Sequence, residues 1–283
     1  MIDTVVDVQG STLKTIQGLL RGLLEKEVVD ALLVPMFQST GNVAPMLVSD
    51  PAALDNADPL TPVLPINAAR AASQLTMTRH KEKLGVVLRS CEIRALVELV
   101  KFQQASLDNA LIIGVDCLGT YGVTDWQAAS SQQQVIDALL AGAVGGDLQP
   151  FDGMEFRAAC QMCEQPLPDG EHVALTVGLV GVEAGKVYLR AREDLAETLG
   201  LTANGKPVGR ADATKKLIAA RTEARDAVFA GFRERVNSMD GLLQEFSTCI
   251  RCHNCMINCP ICYCRECIFR TPTFEHESQL YYQ

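Results

Sequence analysis

The sequence predicts an α/β fold, and two patterns support that prediction. Short apolar segments alternate with amphipathic ones through residues 1 to about 150, which is typical of strands and helices that form a layered α/β body. Residues 172–180 and 186–191 alternate between apolar and polar side chains and are joined by a glycine-containing turn, which predicts a small β-hairpin region. We expect a long helix and a helical, cysteine-rich tail to follow.

Composition restricts the class of protein. The chain has 283 residues, of which 48% are hydrophobic, so it can bury a sizeable core. Its net charge of −9 argues against nucleic-acid and anionic-membrane partners. Residues 1–5 do not begin a signal peptide, and no apolar run is long enough to span a bilayer. We therefore expect a cytoplasmic protein without a transmembrane segment, in which eleven cysteines indicate metal binding and not disulfides.

The elements of the body can be placed in order. Ser11 is a suitable N-cap for an amphipathic helix over residues 11–26. The start of that helix, Gly10-Ser11-Thr12, suits either a phosphate group or an ordinary cap. The other expected elements are strands at 28–36, 84–89 and 110–115, helices at 67–75, after Cys91 and at about 125–141, and a loop at 49–65. No Rossmann or P-loop glycine motif follows these strands, so a standard nucleotide site is not supported.

A long helix is predicted over residues 212–239, where it connects the body to the tail. Its apolar stripe, which we expect to pack into the core, consists of Leu217, Ala224, Val228, Phe232 and Val236. The basic residues expected on its solvated face are Lys215, Lys216, Arg221, Arg225, Arg233 and Arg235.

Seven of the eleven cysteines lie in the tail. It opens with the spacing Cys249-x2-Cys252-x2-Cys255-x3-Cys259-Pro260, which bacterial ferredoxins use to hold iron-sulfur clusters. A thiolate at every third residue lets a short loop reach several corners of one cubane. Zinc sites usually separate their two ligand pairs by about a dozen residues or more, and disulfide-rich domains are usually short and secreted. Both alternatives therefore fit the tail less well than iron and sulfide do.

Three further cysteines, Cys262, Cys264 and Cys267, complete the tail, and the spacing does not assign their partners. One cluster would leave three tail cysteines over, whereas two clusters would need one ligand more than the tail supplies. His253 could provide a nitrogen ligand, although the ordinary expectation for it is a solvated loop position.

Four more cysteines precede the tail. Cys91 and Cys117 each follow a predicted strand, at the end of a sheet where α/β folds place their ligands. Cys160 and Cys163 form a CxxC pair, which alone could be a redox pair, half of a metal site or two buried thiols. The four together could enclose a second cubane. Buried structural thiols are the alternative for Cys91 and Cys117.

Several of these segments together resemble one protein family. They are L-R-S-C-E-I-R-A-L around Cys91, I-I-G-V-D-C-L-G-T-Y around Cys117, C-Q-M-C-E from Cys160, and L-T-V-G-L-V-G from Leu175. They are similar to the beta subunits of coenzyme F-420-reducing hydrogenases and related formate dehydrogenases. The resemblance covers residues 8 to about 185 and depends on the order and context of four cysteines. It implies an iron-sulfur flavoprotein that passes electrons between a deazaflavin coenzyme, FAD and a [4Fe-4S] cluster.

The same resemblance implies a set of site residues. It makes Cys91, Cys117, Cys160 and Cys163 the ligands of the [4Fe-4S] cluster. For FAD it points to the helix start Gly10-Ser11-Thr12, to the stretch from Asn67 to Arg70, and to the glycine-containing turn with Gly178 and Gly181. The tail from Cys249 extends beyond the compact hydrogenase subunit, so an F-420 site does not follow from the resemblance.

The expected function is that of an iron-sulfur flavoprotein electron-transfer subunit in a formate dehydrogenase, hydrogenase or heterodisulfide-reductase-like complex. Such a subunit would hold FAD and two or more [4Fe-4S] clusters, and its partners would be other redox subunits. A ferredoxin-like relay subunit without flavin is the alternative, and a structural zinc scaffold is a third possibility. We expect a flavin- and cluster-binding domain at 1–205, a connecting helix at 206–245 and an iron-sulfur tail at 246–283.

Overall fold

The sheet at the centre of the molecule has seven strands in the part of the chain that the computed structural model describes, residues 1–38, 41–79, 81–168, 170–250, 252 and 254–260. The strands are β1 (Ile2–Asp7), β2 (Ala31–Phe37), β3 (Val43–Val48), β4 (Leu84–Arg89), β5 (Ala110–Val115), β6 (Val173–Gly178) and β7 (Lys186–Ala191). Across the sheet they follow the order β1-β7-β6-β5-β4-β2-β3.

Five of these strands run in the same direction. The neighbours β2, β4, β5 and β6 are parallel, and β1 is parallel to them because β1 and β6 both pair antiparallel with β7. The other two strands run in the opposite direction. They are β7 and β3, and β3 pairs antiparallel with β2. The carboxyl ends of β1, β4, β5 and β6 therefore lie on the same side of the sheet, which we call the carboxyl edge. Open α/β sheets bind their ligands at such an edge.

Helices cover both faces of the sheet. The described helices are α1 (Thr12–Glu25), α2 (Ala69–Thr78), α3 (Ser90–Lys101), α4 (Val123–Ala128), α5 (Gln132–Val144), α6 (Ala158–Gln161), α7 (Glu193–Leu199), α8 (Arg210–Arg235), α9 (Met239–Glu245) and α10 (Asn254–Asn258), with a 3₁₀ helix at Pro51–Asn56. Helices α1 and α5 and the start of α8 pack on one face, while α2 and α3 pack on the other. The expected α/β fold is confirmed. None of the described helices is long and apolar enough to cross a membrane.

Two hydrophobic layers result from the alternation of side chains along the strands. In β2, Leu32 and Val34 belong to the layer that contains α1, while Leu33 belongs to the layer of α2 and α3. Helix α1 contributes Leu20 and Leu23, which are fully buried. The burial of each such leucine stabilises the fold by about 1.5–3 kcal/mol.

Most of the predicted elements are present. Strands β4 and β5 have the predicted bounds, and Ser11 caps α1 by accepting a hydrogen bond from the Lys14 amide. Strands β6 and β7 form the expected antiparallel pair, as part of the large sheet. The edge strands β1 and β3 have no counterpart among the predicted elements. The single helix expected at 125–141 is wrong, because the backbone is extended at Ala129 and the Ser131 side chain caps a second helix, α5.

Helix α8 differs from its prediction in length and in burial. It ends at Arg235, and Ser238 then caps the separate helix α9. The expected apolar stripe does not pack into the core along its length, since Val228 is 50% exposed and Phe232 is 44% exposed. Of the expected stripe only Leu217 is buried, and the other buried residues of α8 are Ala213 and Arg221. Only the first half of α8 therefore belongs to the hydrophobic layer.

A buried carboxylate joins the sheet to α8. Asp116 directly follows β5, and its side chain is fully buried. Its Oδ2 accepts hydrogen bonds from the backbone amides of Leu179 (2.8 Å) and Val180 (2.9 Å), just beyond β6. Arg210, the first residue of α8, donates from Nη1 to Oδ2 at 2.7 Å and from Nη2 to Oδ1 at 3.1 Å. The carboxylate thus fixes three segments of chain at the carboxyl edge.

The substitution Asp116→Ala should destabilise the fold strongly. It leaves the Arg210 guanidinium and two buried amides without their acceptor, and removal of one partner of a buried ion pair costs about 3–5 kcal/mol. We expect a loss of that size in the free energy of unfolding, measured by urea denaturation of full-length chains with equal iron content. Lys216→Ala is the control, because it breaks only an exposed ion pair between α8 and Asp147. A loss for Asp116→Ala no larger than that for the control would contradict this role.

Candidate iron-sulfur site

Four cysteines that the sequence nominates as ligands lie at or beside the carboxyl edge. Cys91 is the second residue of α3, immediately after β4. Cys117 lies two residues beyond the end of β5. Cys160 lies in α6, and Cys163 follows, with its amide donating to the Cys160 carbonyl at 3.4 Å. Two strand ends and one short helix therefore supply the four thiols.

Hydrogen bonds connect the loop of Cys117 to the segment that carries the CxxC pair. The Cys117 amide donates to the carbonyl of Pro166 at 2.9 Å, and the Arg157 amide donates to the carbonyl of Thr120 at 2.8 Å. The hydroxyl of Thr120 lies 3.0 Å from Sγ of Cys160. The two segments are thus joined on both sides of the CxxC pair, which holds Cys117 and Cys160 in one region.

Gly119 permits this close approach. Its φ of +107° lies in the left-handed region that favours glycine, and a Cβ there would lie 2.7 Å from the ring of Phe156. Its backbone amide donates a hydrogen bond to Cys117. Any larger residue would push Phe156, and with it the segment that leads into α6, away from the Cys117 loop.

The thiol of Cys91 is influenced by the other cysteines. The pKa of Cys91 is raised to about 12, mainly by desolvation and also by the charges of Cys117, Glu92 and Cys160, while the charge of Arg89 opposes this rise. Cys117 and Cys160 come from other segments of the chain, so their influence places three thiols in one electrostatic neighbourhood. Three thiolates cannot remain anionic together here without compensating positive charge. Bound iron would supply that charge, because a metal ion deprotonates its thiol ligands.

The thiol of Cys117 is surrounded by both signs of charge. Desolvation raises its pKa, and the charge of Cys160 acts in the same direction. Arg89, the Gly119 amide and Arg221 all lower it. Two guanidinium groups, those of Arg89 and Arg221, therefore favour the anionic form of Cys117.

The donor set fits a cluster better than a single ion. Within the described ranges, no group of three or more His, Cys, Asp or Glu side chains converges on one metal position. A cubane distributes its ligands over separate iron corners, so its cysteines need not converge. Thiolate-only ligation is also the chemistry that iron-sulfur clusters use. The residues present therefore fit a [4Fe-4S] group, with Cys91, Cys117, Cys160 and Cys163 as the candidates to hold it.

Two buried charged residues hold another loop against this site. Arg89 donates from Nη1 to the carbonyl of Val63 at 3.2 Å and from Nη2 to the carbonyl of Thr61. Glu92 accepts hydrogen bonds from the amides of Ala68 (2.8 Å) and Arg89 (2.9 Å), and burial raises its pKa. Together they fix the chain that enters α2 beside the first turn of α3, which carries Cys91.

The candidate flavin residues at helix starts lie at the same edge as the cysteines. Gly10-Ser11-Thr12 begins α1 after β1, and the stretch from Asn67 to Arg70 begins α2, on the opposite face of the sheet. Ser11 Oγ accepts from the Lys14 amide at 3.1 Å, and Asn67 Oδ1 accepts from the Ala69 amide at 3.0 Å. Ser11 therefore caps α1, whereas α2, whose N-cap position is Ala68, begins without a side-chain cap. Each helix still presents its positive dipole end at the carboxyl edge.

The two glycines of the turn serve a different purpose in this structure. A Cβ at Gly178 would lie 2.4 Å from the ring of Tyr188 and 2.8 Å from Nη1 of Arg210. Gly181 has a φ of +69°, and a Cβ there would lie 2.3 Å from Cα of Arg210. The guanidinium of Arg210 also stacks on Tyr188, 4.7 Å from the ring centre. The Cβ side of Gly178 and Gly181 is thus filled by Tyr188 and the start of α8. Their nomination as flavin contacts stays a prediction.

The tail cysteines are described only in part. Cys249, Cys252 and Cys255 are exposed, and Cys259 is half-buried. Cys259 lines an apolar cavity of about 730 Å³ together with Cys91. The other nominated residues, Cys262, Cys264, Cys267 and His253, lie outside the described residues.

Comparison with known proteins adds two relatives and one structure. The chain is 26% identical over 216 residues to F420-dependent formate dehydrogenase 1 subunit beta from Methanococcus maripaludis, a match that covers 65% of this chain and 56% of that protein. It is 24% identical over 304 residues to F420-dependent formate dehydrogenase subunit beta from Methanocaldococcus jannaschii, covering 94% of this chain and 76% of that protein. No family model matches the chain. This chain is similar to the beta subunits of F420-dependent formate dehydrogenases.

The structural comparison agrees with that relationship. A chain of the F420-reducing [NiFe] hydrogenase complex from Methanosarcina barkeri has the same fold, with a TM-score of 0.55 and 13% identity. The match covers 84% of this chain and 93% of the hydrogenase chain. The match to the Methanocaldococcus jannaschii protein covers 94% of this chain, which requires that it include part of the cysteine-rich tail.

Thr120 offers a test of the site that changes no ligand. The residue is buried and its hydroxyl contacts Cys160, so it would donate to that sulfur when the thiolate binds iron. Hydrogen bonds to ligand sulfurs stabilise the more negative, reduced cluster and raise its potential. We expect Thr120→Val to lower the midpoint potential of the cluster, measured by redox titration with electron paramagnetic resonance. Thr120→Ser keeps the hydroxyl and should keep the potential; a Thr120→Val potential equal to that of the wild type would exclude this contact.

Proposed function

We propose that this chain is an iron-sulfur flavoprotein electron-transfer subunit of a multisubunit oxidoreductase of the formate dehydrogenase, hydrogenase or heterodisulfide-reductase-like kind. The observation that carries the proposal is the arrival of Cys91, Cys117 and Cys160 from three separate segments at the carboxyl edge, where hydrogen bonds join the Cys117 loop to the segment of Cys160. The two relatives support it, because both are named as beta subunits of F420-dependent formate dehydrogenases. When bound, a flavin would supply two-electron chemistry and a cubane one-electron chemistry.

The protein's own contribution would be to position and tune these groups. Cys91, Cys117, Cys160 and Cys163 would hold one [4Fe-4S] cluster. Thr120 and the Gly119 amide contact two of the ligand sulfurs and would set the potential by hydrogen bonding. We place FAD at the helix starts on the same edge, with the segments 10–12 and 67–70 as its contacts.

The tail would extend the route for electrons towards a partner subunit. Cys259 and Pro260 line the same cavity as Cys91, so the last cysteine of the ferredoxin-like run lies beside a ligand of the body cluster. The walls of that cavity are largely apolar, and Ile93 and Val97 contribute to it. Low polarity and exclusion of water influence the potential of nearby clusters. A second cluster held by Cys249, Cys252, Cys255 and Cys259 would then lie next to the first.

Exposed apolar residues beside the tail support a redox partner. Phe229 and Phe232 of α8, Leu243 of α9 and Phe246 after it are each at least 44% exposed. Large exposed apolar side chains on neighbouring elements are typical of surfaces that another protein covers. We propose that another redox subunit, the kind of partner implied by the relatives' names, contacts this surface.

Two cysteine variants test whether the body and the tail hold separate clusters. Cys117→Ser should remove about four iron and four sulfide per chain and leave the tail signal, whereas Cys252→Ser should remove the tail signal and leave flavin bound. The measurement is iron, sulfide and flavin per chain after anaerobic purification, with electron paramagnetic resonance of the reduced protein. Each variant is the control for the other. If either substitution removes both signals, the modular arrangement is wrong.

Arg70→Ala tests the flavin site. Loss of a hydrogen bond from a charged donor to a phosphate costs about 1.5–3 kcal/mol, so FAD should bind about tenfold to a hundredfold more weakly. The dissociation constant is measured by fluorescence on titrating the deflavinated full chain with FAD. Arg79→Ala, at the other end of α2, should leave affinity unchanged. Equal affinity of the Arg70→Ala and Arg79→Ala variants would remove Arg70 from the site.

A relay subunit without flavin is the second candidate function. It is favoured by one observation, namely that α8 occupies the space beside Gly178 and Gly181, which were nominated for FAD. Purified chains that contain iron and sulfide but release no flavin on acid treatment would establish this alternative and exclude the flavoprotein.

A further inference from the structure

Arg221 is the buried charge for which the described chain supplies no partner. It lies on α8, three turns beyond Arg210, and only 6% of its surface is exposed. Its Nη2 is buried and has no hydrogen-bond partner among the described residues. A guanidinium is almost never buried in this way unless it is paired with a negative group. Its position therefore indicates that a negative group belongs beside it.

The other arginines on the same helix show the contrast. Arg210 pairs with the buried carboxylate of Asp116. Arg225, one turn beyond Arg221, pairs with Glu164 and Asp226. Arg221 lies between them in sequence and has no such carboxylate in the described structure.

The surroundings of Arg221 identify the missing partner. Arg221 and Cys160 line the same cavity, which has a volume of about 440 Å³. Arg89, the other guanidinium near the cysteines, already donates to the carbonyls of Thr61 and Val63. Arg221 thus has a buried donor without an acceptor, Nη2, and lines the same cavity as the candidate ligand Cys160.

We propose that Arg221 is a positioning residue for the iron-sulfur cluster, where it offsets the negative charge of the thiolate-ligated group and raises its reduction potential. This inference rests on the proposed function, because it requires a cluster held by Cys117 and Cys160. Reduction adds one electron to the cluster, so a neighbouring cation stabilises the reduced form more than the oxidised form. The effect is large at a buried site, where water does not screen the charge.

The test is a redox titration of the full-length, iron-loaded chain, followed by electron paramagnetic resonance. The body cluster is identified as the signal that Cys117→Ser removes and Cys252→Ser retains. In Arg221→Gln we expect a lower midpoint potential, with a ratio of reduced to oxidised cluster about tenfold smaller at the wild-type midpoint, which is 59 mV for a one-electron couple. Arg221→Lys keeps the charge and should restore most of the potential. Arg233→Gln removes an exposed charge from the same helix and should change nothing.

The outcomes separate this inference from the proposed function. If the wild type has no signal that depends on Cys117, the proposed cluster is wrong and Arg221 has no partner of this kind. If the signal is present and Arg221→Gln shares the wild-type potential, or Arg233→Gln shifts it equally, only the role of Arg221 is overturned. If Arg221→Gln loses its iron, the potential cannot be measured in that variant, and the Arg221→Lys variant then tests the role of the charge. Retention of the cluster near the wild-type potential supports the charge, whereas its loss shows a requirement for side-chain shape.

Discussion

The ion pair between Asp116 and Arg210 determines where the rest of the site can lie. Asp116 is followed directly by Cys117, and Arg210 begins α8, so one buried contact orients both a candidate ligand and the helix that passes over it. Arg221 follows Arg210 by eleven residues, which is close to three helical turns and about 16 Å along the axis. It therefore returns to the same face of α8 as Arg210. The pair thus orients the helix that brings Arg221 to the cavity lined by Cys160.

The carboxyl edge brings together cysteine thiols and a buried arginine, and the electrostatic cost of each group depends on the others. Desolvation raises the pKa of the Cys117 thiol, and the charge of Cys160 opposes the thiolate both of Cys117 and of the exposed Cys91. Burial likewise makes Arg221 unfavourable without a partner. Iron with thiolate ligands would resolve these costs together, because the metal compensates the sulfur charges and the remaining negative charge pairs with the guanidinium. A metal cluster held by the cysteines, as we propose, would therefore offset both kinds of cost.

Local sequence patterns predict the central strands of the sheet well and its two outermost strands poorly. Strands β4 and β5 are buried on both faces and appear as uninterrupted apolar runs, so their bounds could be predicted. Edge strands lack that signal: β1 and β3 mix exposed and buried residues, and β3 contains Pro45. The break between α4 and α5 depends on the Ser131 cap within a segment of continuous helical periodicity, and periodicity alone does not show it.

The candidate ligands could be found from the sequence, whereas the residues around them could not. Cysteine spacing and context identify thiols because few other residue types bind iron in this way. Arg221 was expected on the solvated face of α8, which is wrong, because the burial of a charged residue depends on what another element brings to it. Asp116, Arg89 and Glu92 likewise have roles that arise only from contacts across the fold. A charged residue directly beside a strand end or a candidate ligand is the local signal that could have found Asp116 and Arg89.

The position of Cys259 suggests why the tail follows α8 and not another element. Helix α8 starts at the carboxyl edge, where Asp116 holds it, and the tail comes back to that edge, because Cys259 shares a cavity with Cys91. Between these points the chain exposes apolar residues of α8 and α9, including Phe232 and Leu243. A partner that covers this surface would contact the segment that connects the body to the tail cysteines.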